Sequence, residues 1–324
     1  MYIFLMSNMK NLLLMIGWAV VLMAAGCGPQ QNTQNAATGE TITVSDAKYG
    51  DQQVPLDPQK VVSFDYGALD TMAALGLESR VAALPKSNLP HLLQAFADDK
   101  YANAGNLFEP NFELLYTIKP DLIIVSGRAA AKIEELRKIA PTIFLEPKNE
   151  DYYNTFKANT ELLGRIFKRE DEAKQKLAEL DARMERLSER TRSSGKTGLI
   201  SLYTAGKISV YGPRSRFGIL HQAMGIKPAD PNIQEAAQHG QVVNFEYLKK
   251  IAPDYLFVVD RAKILGEETL AKTFLDNEVV RSTKAAREDH IIYLDTENWY
   301  TVSGGLQSMS KMIDEIAAAF NVSS

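Results

Sequence analysis

The side chains best placed to do chemistry in this chain are arginines at the ends of apolar runs. Arg128 follows Leu122-Ile123-Ile124-Val125 by three residues, and Arg261 follows the run from Tyr255 to Val259 by two. Two more, Arg214 and Arg216, sit in the turn Gly212-Pro213-Arg214-Ser215-Arg216-Phe217-Gly218. A guanidinium is planar, permanently charged and carries several fixed donors, so arginines gathered at one gap suit a delocalised oxyanion. Other chemistries are poorly provided for. A single cysteine, Cys27, makes neither an internal disulfide nor a thiolate zinc site. Four histidines without an HExxH pair leave little for a histidine-rich catalytic metal centre. Gly195-Lys196-Thr197 is like the end of a phosphate loop. However, Arg190 stands where the earlier glycine belongs, and Lys196 precedes a strand rather than following one. Neither GxSxG nor GxGxxG occurs.

The elements that must carry these residues are legible from periodicity. Thr41 to Val44 alternates as a strand should, while Val61-Val62-Ser63-Phe64 and Leu122 to Val125 read as short buried strands. Helices are expected over 67–75 and 129–139, and strands alternating with helices predict a parallel α/β layer. From Tyr152 to about Arg192, Leu162, Ile166, Leu177, Leu180, Met184 and Leu187 keep three- and four-residue spacing without a proline. This predicts one amphipathic helix of roughly 40 residues, about 60 Å long, joining two lobes. The second lobe is expected to hold strands over 198–203, 255–259 and 291–294. Helices are expected there over 217–224 and 303–320, the last capped by Ser303. The lobes therefore span 41–150 and 194–324, with the connector over 151–193.

The lobes share an internal repeat. Asn111-Phe112-Glu113 and Asn244-Phe245-Glu246 stand 133 positions apart, as do Ile118 and Ile251, Pro120-Asp121 and Pro253-Asp254, and Val125 and Val258. Two copies of one α/β unit across an approximate twofold explain the offset. Arg128 and Arg261 occupy equivalent places in it, so both should face the gap between lobes, where small-molecule sites usually form.

Composition fits that picture. The 324 residues hold 36 Lys+Arg against 40 Asp+Glu, a net charge of -4, with 45% hydrophobic and 23% charged residues. These are the proportions of a folded globular chain, and the slight acidity argues against nucleic acid as the main partner. Lys10, the apolar run 12–25 and the small-residue end Ala24-Ala25-Gly26 before Cys27 spell a secretory signal over 1–26, with a start at Met6 or Met9 as an alternative. The end of that run resembles the lipobox of bacterial lipoproteins, which implies a lipid on Cys27 and a tether over 27–40, rich in Gln, Asn and Thr.

From Cys27 to the last helix the chain resembles the class III substrate-binding proteins of ABC importers, and among them the iron–siderophore-binding lipoproteins. The resemblance is carried by Pro120-Asp121-Leu122-Ile123-Ile124, Ser215-Arg216-Phe217-Gly218 and Asn298-Trp299-Tyr300. It implies an α/β fold of two Rossmann-like lobes joined by one long helix, no enzymatic activity and no permanently bound cofactor. The implied ligand is a ferric siderophore, of the catecholate class that includes petrobactin. Arg128, Arg216 and Arg261 would surround its trianionic centre, with Arg214 and Tyr66 as further lining. His239 and Tyr300 would complete the iron shell when the siderophore supplies too few oxygens, a combination acceptable to Fe(III). Glu113 and Glu246 would dock a monomeric binding protein onto the ABC permease dimer, outside the cytoplasmic membrane. Haem, cobalamin and hydroxamate siderophores compete as ligands, and an extracytoplasmic metal-dependent hydrolase competes as a class.

Overall fold

Continuous apolar runs become central strands because both faces of each sheet are covered. In the computed structural model, which describes residues 39–233 and 240–322, an antiparallel hairpin of β1 (Thr41–Asp46) and β2 (Gly50–Pro55) leads into the first sheet. That sheet runs β5 (Ala102–Asn103), β4 (Val81–Leu84), β3 (Val61–Ser63), β6 (Leu122–Val125), β7 (Thr142–Phe144), every pairing parallel. All four residues of β6 are buried. The helix after β3, α1 (Tyr66–Ala74), starts from Asp65, whose side chain accepts the Ala68 N–H at 2.6 Å.

The second sheet runs β11 (Gln241–Val243), β9 (Lys207–Tyr211), β8 (Thr197–Thr204), β12 (Tyr255–Asp260), β13 (Ile291–Leu294), with β10 (Lys227–Pro228) beside the start of β8. β8, β12 and β13 are parallel, but β9 turns back antiparallel through Ala205-Gly206. Both turn residues have positive φ, 49° and 70°, which matches the twist of a two-residue hairpin.

The repeat is structural as well as sequential. Asn111 and Asn244 each cap a seven-residue helix, α2 (Phe112–Ile118) and α5 (Phe245–Ile251), accepting from the backbone three residues on at 3.1 and 3.0 Å. Both helices end on a left-handed residue, Lys119 and Ala252, and both lead into the buried strand that carries the arginine. Asp121 and Asp254 play the same part in each copy. The first takes the Gln59 and Lys60 N–H groups, the second the Thr197 N–H and hydroxyl.

The connector differs from the single helix expected. It is two helices, α3 (Tyr152–Ile166) and α4 (Glu170–Ser194), broken at Phe167–Arg169, where Lys168 has φ 55°. They pack antiparallel, with Lys157 paired to Asp181 at 3.0 Å. Gly164 allows the close turn, because a Cβ there would lie 2.9 Å from that of Ala173. A left-handed lysine at the break is not a signal that apolar periodicity carries. The closing helix also differs. α6 (Leu306–Ala319) begins at Gly305 rather than Ser303, and buried Asp70 of α1 serves its first turn, accepting the Ser308 N–H at 2.8 Å and that of Gln307 at 3.2 Å. Arg183 of α4 bonds Ser310 and Asp314 of α6, so the last helix is tied to both α1 and α4. The signal segment 1–26 and the tether with Cys27, up to residue 38, lie outside the described residues. Among the described residues no helix is long and apolar enough to cross a membrane.

Candidate functional site

Three strand or turn ends deliver arginines to one aromatic ring. Arg128 follows β6 through Ser126-Gly127, and its guanidinium carbon lies 5.8 Å from the centre of the Tyr300 ring. Arg261 directly follows β12, its N–H bonded to the Tyr203 carbonyl at 3.0 Å, and lies 5.6 Å from the same ring. Arg216 approaches most closely, at 4.1 Å, within cation–π range. Its turn is braced by Ser215, whose hydroxyl donates to the Gly212 carbonyl at 2.7 Å. Glycine is required at 218, since a Cβ there would sit 2.0 Å from the Pro213 carbonyl oxygen.

The segment that carries the ring is itself held. Tyr300 belongs to a π-helical stretch, Glu297–Val302, of the kind that recurs at functional sites. Its neighbour Trp299 points inward, 1% exposed, and donates its indole N–H to Glu315 at 3.0 Å. Glu297 accepts the His91 N–H at 2.8 Å, and the His91 Nδ1 lies 3.0 Å from its other oxygen. Arg128 donates from Nη2 to the Tyr300 carbonyl at 3.0 Å and from Nη1 to that of Thr301 at 3.2 Å, while Arg216 donates to the Tyr300 carbonyl at 3.4 Å. An arginine on the first sheet and two on the second are thus tied to one segment.

Electrostatics in this cluster are strained in the direction that favours an anion. Burial and the nearby charge of Arg216 both lower the Arg128 pKa, so the guanidinium is short of counter-charge. Two carboxyls stand by. Asp65 is pushed up to about 6 by burial, against the Ala68 and Ser126 hydrogen bonds and the field of Arg128. Glu146, two residues beyond β7, is raised by loss of solvent and pulled back by Arg216 and Arg128. Its carboxylate rests on Gly127, where a Cβ would meet Glu146 Oε1 at 2.8 Å. The Tyr211 hydroxyl is also raised, by burial, against Arg216 and Arg261.

The other expected residues fall in several places. Arg214 is exposed on the same turn as Arg216. Tyr66 does not line the gap: it is 1% exposed at the head of α1, and its hydroxyl donates to the Pro85 and Ser87 carbonyls at 3.1 and 3.2 Å. The first residue of a helix packed on its own sheet turns inward, and burial pushes the phenol up to about 12. His239 lies outside the described residues. Glu113 and Glu246 are exposed in the first turns of α2 and α5. Glu146 and Tyr211 were missed; both lie at or just past strand ends, the one signal available for them. A cavity of about 430 Å³ between β1, the segment after β7 and α3 shares Glu146 with these surroundings but none of the arginines.

The periplasmic binding protein family matches residues 61–297. The petrobactin-binding protein YclQ of Bacillus subtilis (strain 168) is 42% identical over 311 residues, 95% of this chain and 98% of the relative. The crystal structure of that protein superposes with a TM-score of 0.84, covering 88% of this chain and all of the other, at 43% identity. The periplasmic catecholate-siderophore binding protein VctP from Vibrio cholerae gives a TM-score of 0.81 at 31% identity, over 86% of this chain and 100% of its own. The siderophore binding protein BauB, solved with two molecules of acinetobactin and ferric iron, gives 0.78 at 30% identity, over 88% and 100%.

Proposed function

Because the chain belongs to the periplasmic binding protein family, and is therefore a substrate-binding protein rather than an enzyme, we propose that it captures a ferric siderophore of the catecholate class and hands it to an ABC permease for iron uptake. The observation that carries the reading is the convergence of Arg128, Arg216 and Arg261 on the Tyr300 ring. A ferric tris-catecholate is a trianion with its charge spread over six oxygens, and three planar cations from two sheets match it in number and in donor geometry. A ferric trihydroxamate is neutral and gains little from such a set. The relatives named for petrobactin and for catecholate siderophores support the same class.

In this reading Arg214 extends the cationic rim. Tyr300 and His239 stand in reserve as iron ligands for a siderophore with too few oxygens. Cys27 carries a lipid that keeps the protein at the outer face of the membrane. Glu113 and Glu246, equivalent in the repeat, meet the two halves of the permease dimer. One α/β unit per half and a braced helical connector favour modest closure on binding.

Trp299 makes the test direct. Apart from Trp18 in the signal segment it is the chain's single tryptophan, and it adjoins Tyr300. The soluble chain from Gly28 onward is titrated with ferric catecholate and with ferric trihydroxamate, and the indole fluorescence is followed. Saturable quenching by the catecholate alone is expected. Quenching by the hydroxamate alone would move the ligand to the neutral class, and no response to either would remove the siderophore reading.

A further inference from the structure

Large apolar side chains that stay exposed are informative when they gather beside a feature that already points outward. Five stand out among the described residues: Phe108, Tyr116, Val242, Leu265 and Tyr293. Three of them flank the repeated Asn-Phe-Glu motif. Phe108, 60% exposed, sits in the turn whose Asn106 side chain accepts the Phe108 and Glu109 N–H groups at 2.8 and 2.9 Å, five residues before Glu113. Tyr116, 58% exposed, lies one turn after Glu113 on the same face of α2. In the other copy Val242, 64% exposed, lies on edge strand β11, four residues before Glu246.

We propose that Phe108 and Tyr116 are the main apolar anchors by which this protein docks on its membrane permease, with Val242 a smaller anchor on the other half. The inference rests on the permease reading above and adds to it the residues that supply binding energy. Exposed carboxylates such as Glu113 and Glu246 steer and orient a partner, whereas buried aromatic anchors supply most of the affinity at an interface. The repeat sets Glu113 and Glu246 in equivalent places, so the fitting partner has twofold symmetry with a basic group on each half, and its main apolar socket faces Phe108 and Tyr116. The patches are not equal. The repeat puts Gln241 in the place of Phe108 and Lys249 in that of Tyr116, and Val242 lies one position beyond the first of these. The half with Phe108 and Tyr116 is therefore the stronger grip.

The test pairs a docking variant, Phe108→Ser with Tyr116→Ser, with a control, Leu265→Ser with Tyr293→Ser, which removes exposed apolar groups elsewhere. Each purified protein is titrated with ferric catecholate. Each full-length chain also replaces the host's own copy for uptake of the same complex labelled with radioactive iron. The docking variant is expected to bind within about twofold of the unmodified chain yet to lose uptake by about tenfold or more. The control should change neither. Retained uptake in the docking variant, equal loss in the control, or loss of binding in the purified docking variant would overturn the proposal. Failure of the unmodified chain to bind the complex at all would overturn the siderophore reading instead, and this inference with it.

Discussion

Replacing Asp65 by asparagine separates the charge of the arginine site from its shape. Asp65 caps α1 by accepting the Ala68 N–H at 2.6 Å, a bond that an asparagine oxygen keeps, so loss of charge is the main change. Burial pushes the carboxyl from 3.8 up to about 6, against hydrogen bonds from Ala68 and Ser126 and the field of Arg128. With the folded value above the unfolded one, the native chain holds a proton that the unfolded chain has released. The contribution of this group to stability therefore grows as pH falls from above 6 toward 4, opposite to a salt-bridged carboxylate. Between roughly pH 7.5 and pH 5 the gain amounts to about 1 kcal/mol. At the upper end, holding the ionised form in this half-buried site costs the unmodified chain about 3 kcal/mol, which Asp65→Asn removes. Urea unfolding of both proteins across that range is the assay. The variant should be the more stable at neutral pH, and its advantage should shrink by about 1 kcal/mol on acidification. Parallel stability curves, or a variant less stable throughout, would refute the assignment of a half-buried, proton-hungry carboxyl beside Arg128.

Further expectations follow from single contacts. Arg216→Ala removes the guanidinium closest to Tyr300 and should weaken ferric catecholate binding by about 2 kcal/mol, roughly thirtyfold in Kd by titration, with Arg216→Lys in between. Glu146→Gln removes a negative charge that opposes the ligand and should tighten the same complex severalfold in the same titration; weaker binding would mean that Glu146 bonds the ligand. Asp254 accepts the Thr197 N–H at 2.8 Å and pairs with Lys284 at 2.6 Å, and these partners hold its pKa down although burial opposes them. Its stabilisation is present above about pH 4 and lost below it, so Asp254→Asn should cost about 2 kcal/mol in neutral unfolding and flatten the acid limb. Gly164→Val drives a side chain into Ala173 and should cost about 1–3 kcal/mol, read as a lowered midpoint of unfolding.

How much of this was legible depended on what each feature needs. Buried parallel strands such as β6 announce themselves as unbroken apolar runs, and the repeat fixed the equivalence of Arg128 and Arg261 without any knowledge of contacts. The β8–β9 hairpin was not visible, because its turn is Ala205-Gly206 rather than an Asn-Gly or Asp-Gly pair, and Lys207 to Tyr211 is short. The break between α3 and α4 escaped for a related reason. Apolar spacing continues through Phe167, and a left-handed lysine leaves no compositional mark. Tyr66 was misplaced because sequence position at a strand end does not decide which way a helix's first side chain turns. Glu146 was missed because its role depends on Gly127, nineteen residues earlier, just past the neighbouring strand β6.

The placement of Tyr300 explains how three like charges stay together in the unliganded protein. Guanidinium groups at one gap repel, and that repulsion must be met by something other than the ligand. Here it is met in three ways at once. The ring face attracts all three cations, the Tyr300 and Thr301 carbonyls accept from Arg128 and Arg216, and the carboxyls of Asp65 and Glu146 lie within their field. None of these exhausts the arginines. Arg128 spends one Nη1 and one Nη2 proton on carbonyls, which leaves its Nε proton and the second proton on each Nη to donate elsewhere. Arg128 and Arg216 are hydrogen-bonded before any ligand arrives, which reduces the rotamer entropy they have to lose on binding. Truncating the ring should therefore cost more than one aromatic contact: with Tyr300 reduced to alanine, three cations lose their common anchor and the site its preorganisation together.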